Sequence, residues 1–197
     1  MSIQIFLSLM LFAITTSITP GPNNMMLLSS GVNFGFRRTI PHMIGIEVGF
    51  ASLLVATGFG LGALLQALPL VYTVLKIAGG LYLLWIAWSI GMSRSLGDGK
   101  STGAPMRFWA AAAFQWVNPK AWVMAVSSMA AFANPDKLAL TVAVVTFAFA
   151  VLAFPCQGVW AGFGSMMRDW LSHPARLKWF NVAMATLLVL SLWPMLR

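Results

Sequence analysis

Charged residues are scarce in this chain, and acidic residues are scarcer still. Only 8% of its 197 residues are charged, and four Asp and Glu stand against twelve Lys and Arg. A soluble domain usually carries about 25% charged residues, so too few are present to cover a water-facing surface. With 59% hydrophobic residues and a mean hydropathy of +0.84, the composition predicts an all-α integral membrane protein.

Several features that other functions require are also missing. The single cysteine, Cys156, excludes an intramolecular disulfide and a cysteine-pair redox carrier. His42 and His173 are isolated, so we expect no metal cluster and no cofactor. No GxxxxGKS loop occurs, which argues against ATP as an energy source. The net charge of +8 lies mostly in short loops without an aromatic-basic motif, so we expect no nucleic-acid partner.

A long polar segment is absent too, which bounds the domain organisation. The longest polar stretch is SRSLGDGKSTGAPMR at 93–107, and it predicts a loop. Residues 1–197 are therefore expected to form one membrane domain, with a first half at about 1–92 and a second at about 108–197. The start lacks the charged segment and cleavage site of a secretory signal, so we expect it in the mature protein.

Six apolar runs are long enough to cross a bilayer as helices, which takes about 17 to 25 residues. They are Ile3–Gly31, Ile40–Leu65, Leu70–Met92, Phe108–Ala133, Leu138–Met166 and Trp179–Leu196. As a straight helix the first would run about 43 Å, against a hydrocarbon core of about 30 Å. Because Pro20 and Pro22 lie inside it, we expect two helical pieces at an angle, or a tilted helix with an unwound middle.

The fourth run repeats this feature of the first. Pro119, in QWVNPKAW, lies 99 residues after Pro20, and the segments GFGLG and GVWAG lie 100 residues apart. Since each half holds three spans, the halves must run in opposite directions through the membrane. We therefore predict two inverted three-helix repeats, with the first and fourth helices broken by proline. Broken helices at matching places in inverted halves point to the binding site of a transporter.

Glycines four residues apart recur along the predicted spans. Such pairs let helix backbones approach closely. We interpret four pairs as packing contacts: Gly31/Gly35, Gly45/Gly49, Gly58/Gly62 and Gly158/Gly162.

The polar residues at the breaks suit an amino acid. Proline frees a carbonyl one turn earlier, and unwound backbone in a membrane must lie within protein or face a watery cavity. Free N–H groups at a helix start suit a carboxylate, whereas carbonyl and amide oxygens suit an ammonium. The alternative is that the prolines only kink the helices for packing. The candidate substrate-binding residues are Pro20, Gly21, Pro22, Asn23, Asn24, Asn118, Pro119 and Lys120.

Lys120 and Glu47 are the candidates for coupling transport to an ion. A cation inside a span marks a pathway or an ion pair by default, although the long stem of Lys120 would also let it reach an interface. Glu47 is the only acid within a predicted span. It would carry a proton, since burial disfavours the charged form of a carboxyl, or pair with Lys120, or lie near the cytoplasmic interface. These readings stay open.

Several segments together resemble the LysE/RhtB family of amino-acid exporters. They are TPGPNNMMLLSSGVNFGFRR, MIGIEVGF, GGLYLLWIAW, FWAAAAFQWVNPKAW and FNVAMATLLV. Within the family, TPGPNN, LSS and GFR are most similar to exporters of cysteine and O-acetylserine, which favours a small neutral substrate. The resemblance implies a multi-pass exporter of the bacterial inner membrane, driven by the proton motive force. Glu47 does not belong to the family pattern, so its role gains nothing from the resemblance.

The expected function is therefore a secondary exporter, with a channel or a non-transporting membrane partner as the alternative. An enzyme would need a nucleophile with a base, and only Ser127 and Ser128 near Lys120 offer one. The expected partners are the amino-acid substrate, protons and membrane lipids, with a homo-oligomer left open. Excess cations in loops one, three and five predict that these loops are cytoplasmic and that both termini face outward.

Overall fold

The computed structural model describes residues 2–61, 69–93, 96 and 104–193. Throughout this part of the chain the regular structure is helical, which confirms the all-α prediction. Two short 3₁₀ turns, Pro135–Lys137 and Trp170–Ser172, flank the longest helix. The α-helices are α1 (Ile3–Ile18), α2 (Pro22–Phe34), α3 (Phe36–Gly58), α4 (Pro69–Met92), α5 (Phe108–Gln115), α6 (Pro119–Phe132), α7 (Leu138–Met167) and α8 (Pro174–Leu190).

Both predicted helix breaks are present. Helix α1 ends at Ile18, and α2 begins at Pro22 at an angle of 56° to it. Helix α5 ends at Gln115, and α6 begins at Pro119. In each case proline is the first residue of the second piece, where its missing N–H would have had no helical partner anyway. Each proline thus starts a new helix instead of bending a continuous one.

The described residues contain two helices that are long and apolar enough to cross a membrane alone. They are Phe36–Gly58 and Pro135–Met167. The bent pair of α1 and α2 adds a third crossing if its two pieces form one span. The count of six spans stays a prediction. Parts of the predicted topology lie outside the described residues, namely the end of the second span with Gly62, most of loop 93–107 with Arg94 and Lys100, and the end of the chain with Arg197.

Helices of one half of the chain pack mainly against helices of the other. Helices α1 and α2 lie on α7, α3 lies on α5, α6 and α7, and α4 lies on α8. In terms of the predicted spans, the first contacts the fifth, the second contacts the fourth and fifth, and the third contacts the sixth. A two-fold relation between the halves would produce this pattern of neighbours.

Some glycines bring these helices into backbone contact, as predicted. A Cβ added at Gly31 would lie 2.2 Å from the Ala161 carbonyl oxygen, and one at Gly49 would lie 2.4 Å from that of Ala112. A Cβ added at Gly45 would be similarly close to the Phe108 carbonyl oxygen, at 2.4 Å, whereas one at Gly58 would lie against the side chain of Val142, at 2.6 Å. No side chain fits at such distances, so these positions hold α2 against α7 and α3 against its neighbours.

The packing interpretation is wrong for the pair Gly158 and Gly162. The atoms nearest to a Cβ added there are side-chain atoms 3.9 and 4.0 Å away, so both positions have room. On α7 the close contact falls instead at Gly164, whose added Cβ would lie 2.2 Å from the Leu28 carbonyl oxygen. Gly35 forms the turn between α2 and α3, with φ of 82°, a conformation that favours glycine.

The outer surface of the bundle is apolar. Large hydrophobic side chains on most helices are exposed, among them Trp85, Trp109, Phe147, Phe163 and Trp179. Such a surface suits lipid. Several of the polar side chains described below are buried, among them Asn24, Gln115 and Asn118, whereas Thr19 and Pro20 in the first break are exposed.

Candidate functional site

Lys120 joins the two breaks directly. Its Nζ donates hydrogen bonds to the Thr19 carbonyl oxygen at 2.7 Å, to Thr19 Oγ1 at 3.0 Å and to the Pro20 carbonyl oxygen at 3.4 Å. Lys120 is the second residue of α6, while Thr19 and Pro20 form the unwound segment after α1. The ammonium thus binds carbonyl groups that the first break leaves without helical partners.

Gly21 makes room for this lysine. A Cβ added at Gly21 would lie 2.7 Å from Lys120 Cδ and 3.1 Å from Nζ. Its backbone is extended, with φ of −179°, which any residue adopts. The position therefore favours glycine because Lys120 occupies the space that a Cβ would need. The backbone angles alone would allow any residue.

A second link between the breaks is a pair of amides. Asn23 Nδ2 donates to Gln115 Oε1 at 2.8 Å, and Gln115 Nε2 donates back to Asn23 Oδ1 at 3.1 Å. Gln115 is fully buried and also donates to the Ala111 carbonyl oxygen at 3.0 Å. Each amide thus satisfies the other in the interior, where an unpaired polar group is costly.

The remaining carbonyls of the first break also have side-chain donors. Asn24 Nδ2 donates to the carbonyl oxygens of Ser17 and Thr19, both at 2.8 Å. Trp160 Nε1 on α7 donates to the Ile18 carbonyl oxygen at 3.0 Å. Together with Lys120, these donors satisfy every carbonyl of residues 17–20, which is what unwound backbone inside a membrane requires.

Asn118 caps the second break. It is 2% exposed, and its Oδ1 accepts a hydrogen bond from the Lys120 backbone N–H at 3.1 Å. An asparagine in this position fixes the start of a helix. It therefore also fixes where Lys120 leaves the backbone.

A cavity of about 50 Å³ lies between the breaks. A volume of this kind holds a few water molecules. Five of the predicted site residues line it, namely Gly21, Asn23, Asn24, Asn118 and Lys120. The other lining residues are Thr16, Ser17, Ile46, Phe50, Gln115, Ala121, Met124, Ala153 and Gln157. The three predicted prolines, Pro20, Pro22 and Pro119, do not line the cavity. They belong to the breaks that border it.

Glu47 contacts the cavity wall through another residue. Its Oε1 accepts a hydrogen bond of 2.5 Å from Gln157 Nε2, and Gln157 lines the cavity. An ion pair between Glu47 and Lys120, one of the alternatives from sequence, is not formed among the described contacts. Each has other partners, because the unwound carbonyls hold Lys120 while the amide of Gln157 holds Glu47.

A pairing of Ser128 as a nucleophile with Lys120 as its base is not formed among the described contacts. The Lys120 ammonium donates to Thr19 and Pro20. Ser128 Oγ donates to the Met124 carbonyl oxygen within its own helix. The hydroxyl and the amine that such a mechanism needs to pair thus bind different groups.

Sequence reasoning missed two amides of the site, Gln115 and Gln157. Gln115 lies within QWVNPKAW, the segment that drew attention to the second break. Gln157 lies in the apolar run of α7, two residues after Pro155, which is inside the helix. Each could have been found from the sequence as a polar amide in a predicted span that has few other polar side chains.

An all-α fold with an apolar exterior, in which two proline-broken helices meet at a cavity that polar residues help to line, has the features of a membrane transporter. The family model described as "LysE type translocator" matches residues 14–191. The chain belongs to the LysE family, as the sequence resemblance predicted, and is a multi-pass membrane protein.

Three relatives are described as "Cysteine/O-acetylserine efflux protein". The one from Escherichia coli O1:K1 / APEC is 32% identical over 180 residues. Those from Escherichia coli K12 and Shigella sonnei Ss046 are each 31% identical over 180 residues. Each alignment covers 90% of this chain and 90% of the relative. No solved structure matches the chain.

Proposed function

We propose that this protein is a secondary exporter of small amino acids or their derivatives in the inner membrane of a bacterium. The observation that carries this proposal is that two broken helices, joined by Lys120, meet at one cavity that polar residues help to line. The relatives described as cysteine/O-acetylserine efflux proteins favour those compounds, or other small neutral amino acids, as substrates. We further propose that inward movement of protons drives export.

The cavity offers groups for the carboxylate of an amino acid. Lys120 Nζ binds neutral carbonyl oxygens, and a carboxylate makes a stronger, charge-assisted hydrogen bond with an ammonium. Helix α2 starts beside it, and Gly21 at its N-cap makes no side-chain capping bond. The uncapped N–H groups and the lysine together favour an anionic group at this end of the cavity.

The size of the cavity supports a small substrate. Its volume of about 50 Å³ accommodates a few water molecules. A bulky aromatic amino acid would have to displace Phe50 or Met124 from the wall. Substrates with short side chains need less rearrangement of the packed helices.

The contacts between the halves support the inverted-repeat arrangement. The first span lies on the fifth and the second on the fourth, which a two-fold axis between the breaks would produce. Alternating access in such folds is largely the rocking of one repeat against the other around a central site. On this basis residues 1–197 act as one transporter domain, with lipids around it and self-association left open.

Flux in proteoliposomes tests the proposal. We expect purified protein to transport L-cysteine and O-acetyl-L-serine saturably, and to accumulate them against a gradient when a proton gradient is imposed. Collapse of the proton gradient with an uncoupler should leave exchange but abolish accumulation. Flux that rises linearly with concentration would indicate a channel, and the absence of flux with every small amino acid would indicate a non-transporting partner protein.

A further inference from the structure

Gln157 connects Glu47 on α3 to the cavity between the breaks. It is 5% exposed and belongs to the cavity wall. Its Nε2 donates to Glu47 Oε1. Its Oε1 is buried and accepts no hydrogen bond from the described residues. Buried amide oxygens are rarely left unpaired, so this atom is available to accept a hydrogen bond from water or from a donor group on a ligand.

Ser17 supplies a second polar atom of the same kind. Its hydroxyl oxygen is buried, has no hydrogen-bond partner among the described residues, and belongs to a residue of the same wall. An ammonium has three donors and no acceptor. Two oxygens that lack partners therefore match the α-ammonium of an amino acid, while Lys120 and the start of α2 suit its carboxylate.

The protonation state of Glu47 determines whether Gln157 can serve in this way. An ionised carboxyl only accepts hydrogen bonds, so it holds the amide by Nε2 and leaves Oε1 available. A protonated carboxyl carries an O–H donor, which competes for the amide oxygen. When the amide turns to accept that bond, it presents Nε2 to the cavity, and this donor group disfavours an ammonium.

We propose that Gln157 and Ser17 form the subsite for the substrate's α-ammonium, and that a proton on Glu47 competes with the substrate through Gln157. The proposal rests on the exporter function given above and supplies its coupling step. Substrate entering from the cytoplasm binds when Glu47 has released its proton to that side. Protonation of Glu47 from outside then withdraws the amide oxygen and releases the substrate, so that one proton moves inward.

Few other titratable groups surround Glu47. Helix α7 contributes Cys156, the residue before Gln157. Helix α6 contributes Lys120, which is held by the first break. Helices α2 and α5 carry no titratable side chain. Helix α3 itself carries three others nearer its start, Arg37, Arg38 and His42.

Equilibrium binding of two ligands to purified protein tests this proposal. L-cysteine carries the ammonium, and 3-mercaptopropionate has the same carboxylate and thiol without it. Affinities are measured between about pH 5 and about pH 7, where the ammonium stays charged. The variants are Gln157→Leu and Glu47→Gln, with Val159→Leu on the exposed face of α7 as the control.

For the wild type and Val159→Leu, we expect the affinity for L-cysteine to fall on acidification by up to about tenfold per pH unit, the slope of one linked proton. The affinity for 3-mercaptopropionate should stay constant. Gln157→Leu should weaken the binding of L-cysteine by about tenfold or more and leave the binding of 3-mercaptopropionate unchanged. Glu47→Gln should remove the pH dependence, because the amide at position 47 does not titrate.

Three results would overturn the proposal: wild-type binding of L-cysteine that does not change with pH, a Glu47→Gln variant that keeps the wild-type pH profile, or Gln157→Leu with equal losses for both ligands. Failure of the wild type to bind L-cysteine or O-acetyl-L-serine at any pH is a different outcome. It would overturn the proposed function itself, and the ammonium subsite with it.

Discussion

The Lys120 ammonium lies 2.7 Å from the carbonyl oxygen of Thr19, across 101 positions of the chain. This contact joins the start of α6 to the end of α1. It means that the breaks in the two halves lie side by side, and that backbone oxygens of the first break bind the ammonium of the second.

Replacing Lys120 with methionine should disable export while the protein remains in the membrane. Methionine keeps much of the apolar stem but leaves the Pro20 carbonyl without its donor and the Thr19 carbonyl with Asn24 alone. Charged hydrogen bonds of this kind contribute about 1.5–3 kcal/mol, so flux should fall roughly 10- to 150-fold. Flux is measured in proteoliposomes at matched protein amounts, with Lys137→Met in the exposed 3₁₀ turn as the control. Wild-type flux in Lys120→Met would show that export needs neither the lysine charge nor its contact with the first break.

Gly21→Ala should have a similar effect through Lys120. The new Cβ would lie 2.7 Å from Lys120 Cδ, so the lysine must move away from Thr19. Because both changes act on one contact, the double variant with Lys120→Met should be little worse than Lys120→Met alone. Gly158→Ala is a matched control, since its nearest neighbour is 3.9 Å away. Equal flux for the two alanine variants would contradict the proposed crowding.

The paired amides of Asn23 and Gln115 should depend on each other. Asn23→Leu alone leaves the buried Gln115 Oε1 without its donor, and Gln115→Leu alone leaves the half-buried Asn23 amide without this partner, at a cost of up to about 1–3 kcal/mol. The double leucine variant removes both polar groups, so it should lose less stability than the sum of the two single changes. Thermal unfolding in detergent measures the three variants against the wild type. Simple additivity would show that the amides do not interact in solution.

Membrane orientation can be checked with cysteines in a Cys156→Ser background. The bias of loop cations predicts that Arg176 lies in the cytoplasm and Asp136 outside. A membrane-impermeant maleimide should label Asp136→Cys in intact cells, and Arg176→Cys only after the cells are opened. The opposite pattern would invert the predicted topology.

The breaks could be predicted from sequence because proline acts locally. Pro22 and Pro119 can each start a helix but not continue one, so the interruptions follow from the residues themselves. Several side chains at the breaks could also be predicted from the sequence, because Asn23, Asn118 and Lys120 are polar groups in apolar runs.

The partners of these side chains could not be predicted, because they depend on how distant helices pack. The sequence left Lys120 open between an interface, the substrate and Glu47, and the structure gives it the carbonyls of Thr19 and Pro20. Packing also decides which glycines matter. Gly164 lies against backbone whereas Gly158, in a more conspicuous motif, has space beside it.

The central claim is that substrate binds between the two breaks, and protection from alkylation tests it most directly. Thr16 lines the cavity, whereas Asp136 lies in the exposed turn before α7. In a Cys156→Ser protein with retained flux, O-acetyl-L-serine should slow the reaction of N-ethylmaleimide with Thr16→Cys severalfold and leave Asp136→Cys unchanged. An equal rate at Thr16→Cys with and without saturating O-acetyl-L-serine, in protein that transports this compound, would place the binding site elsewhere.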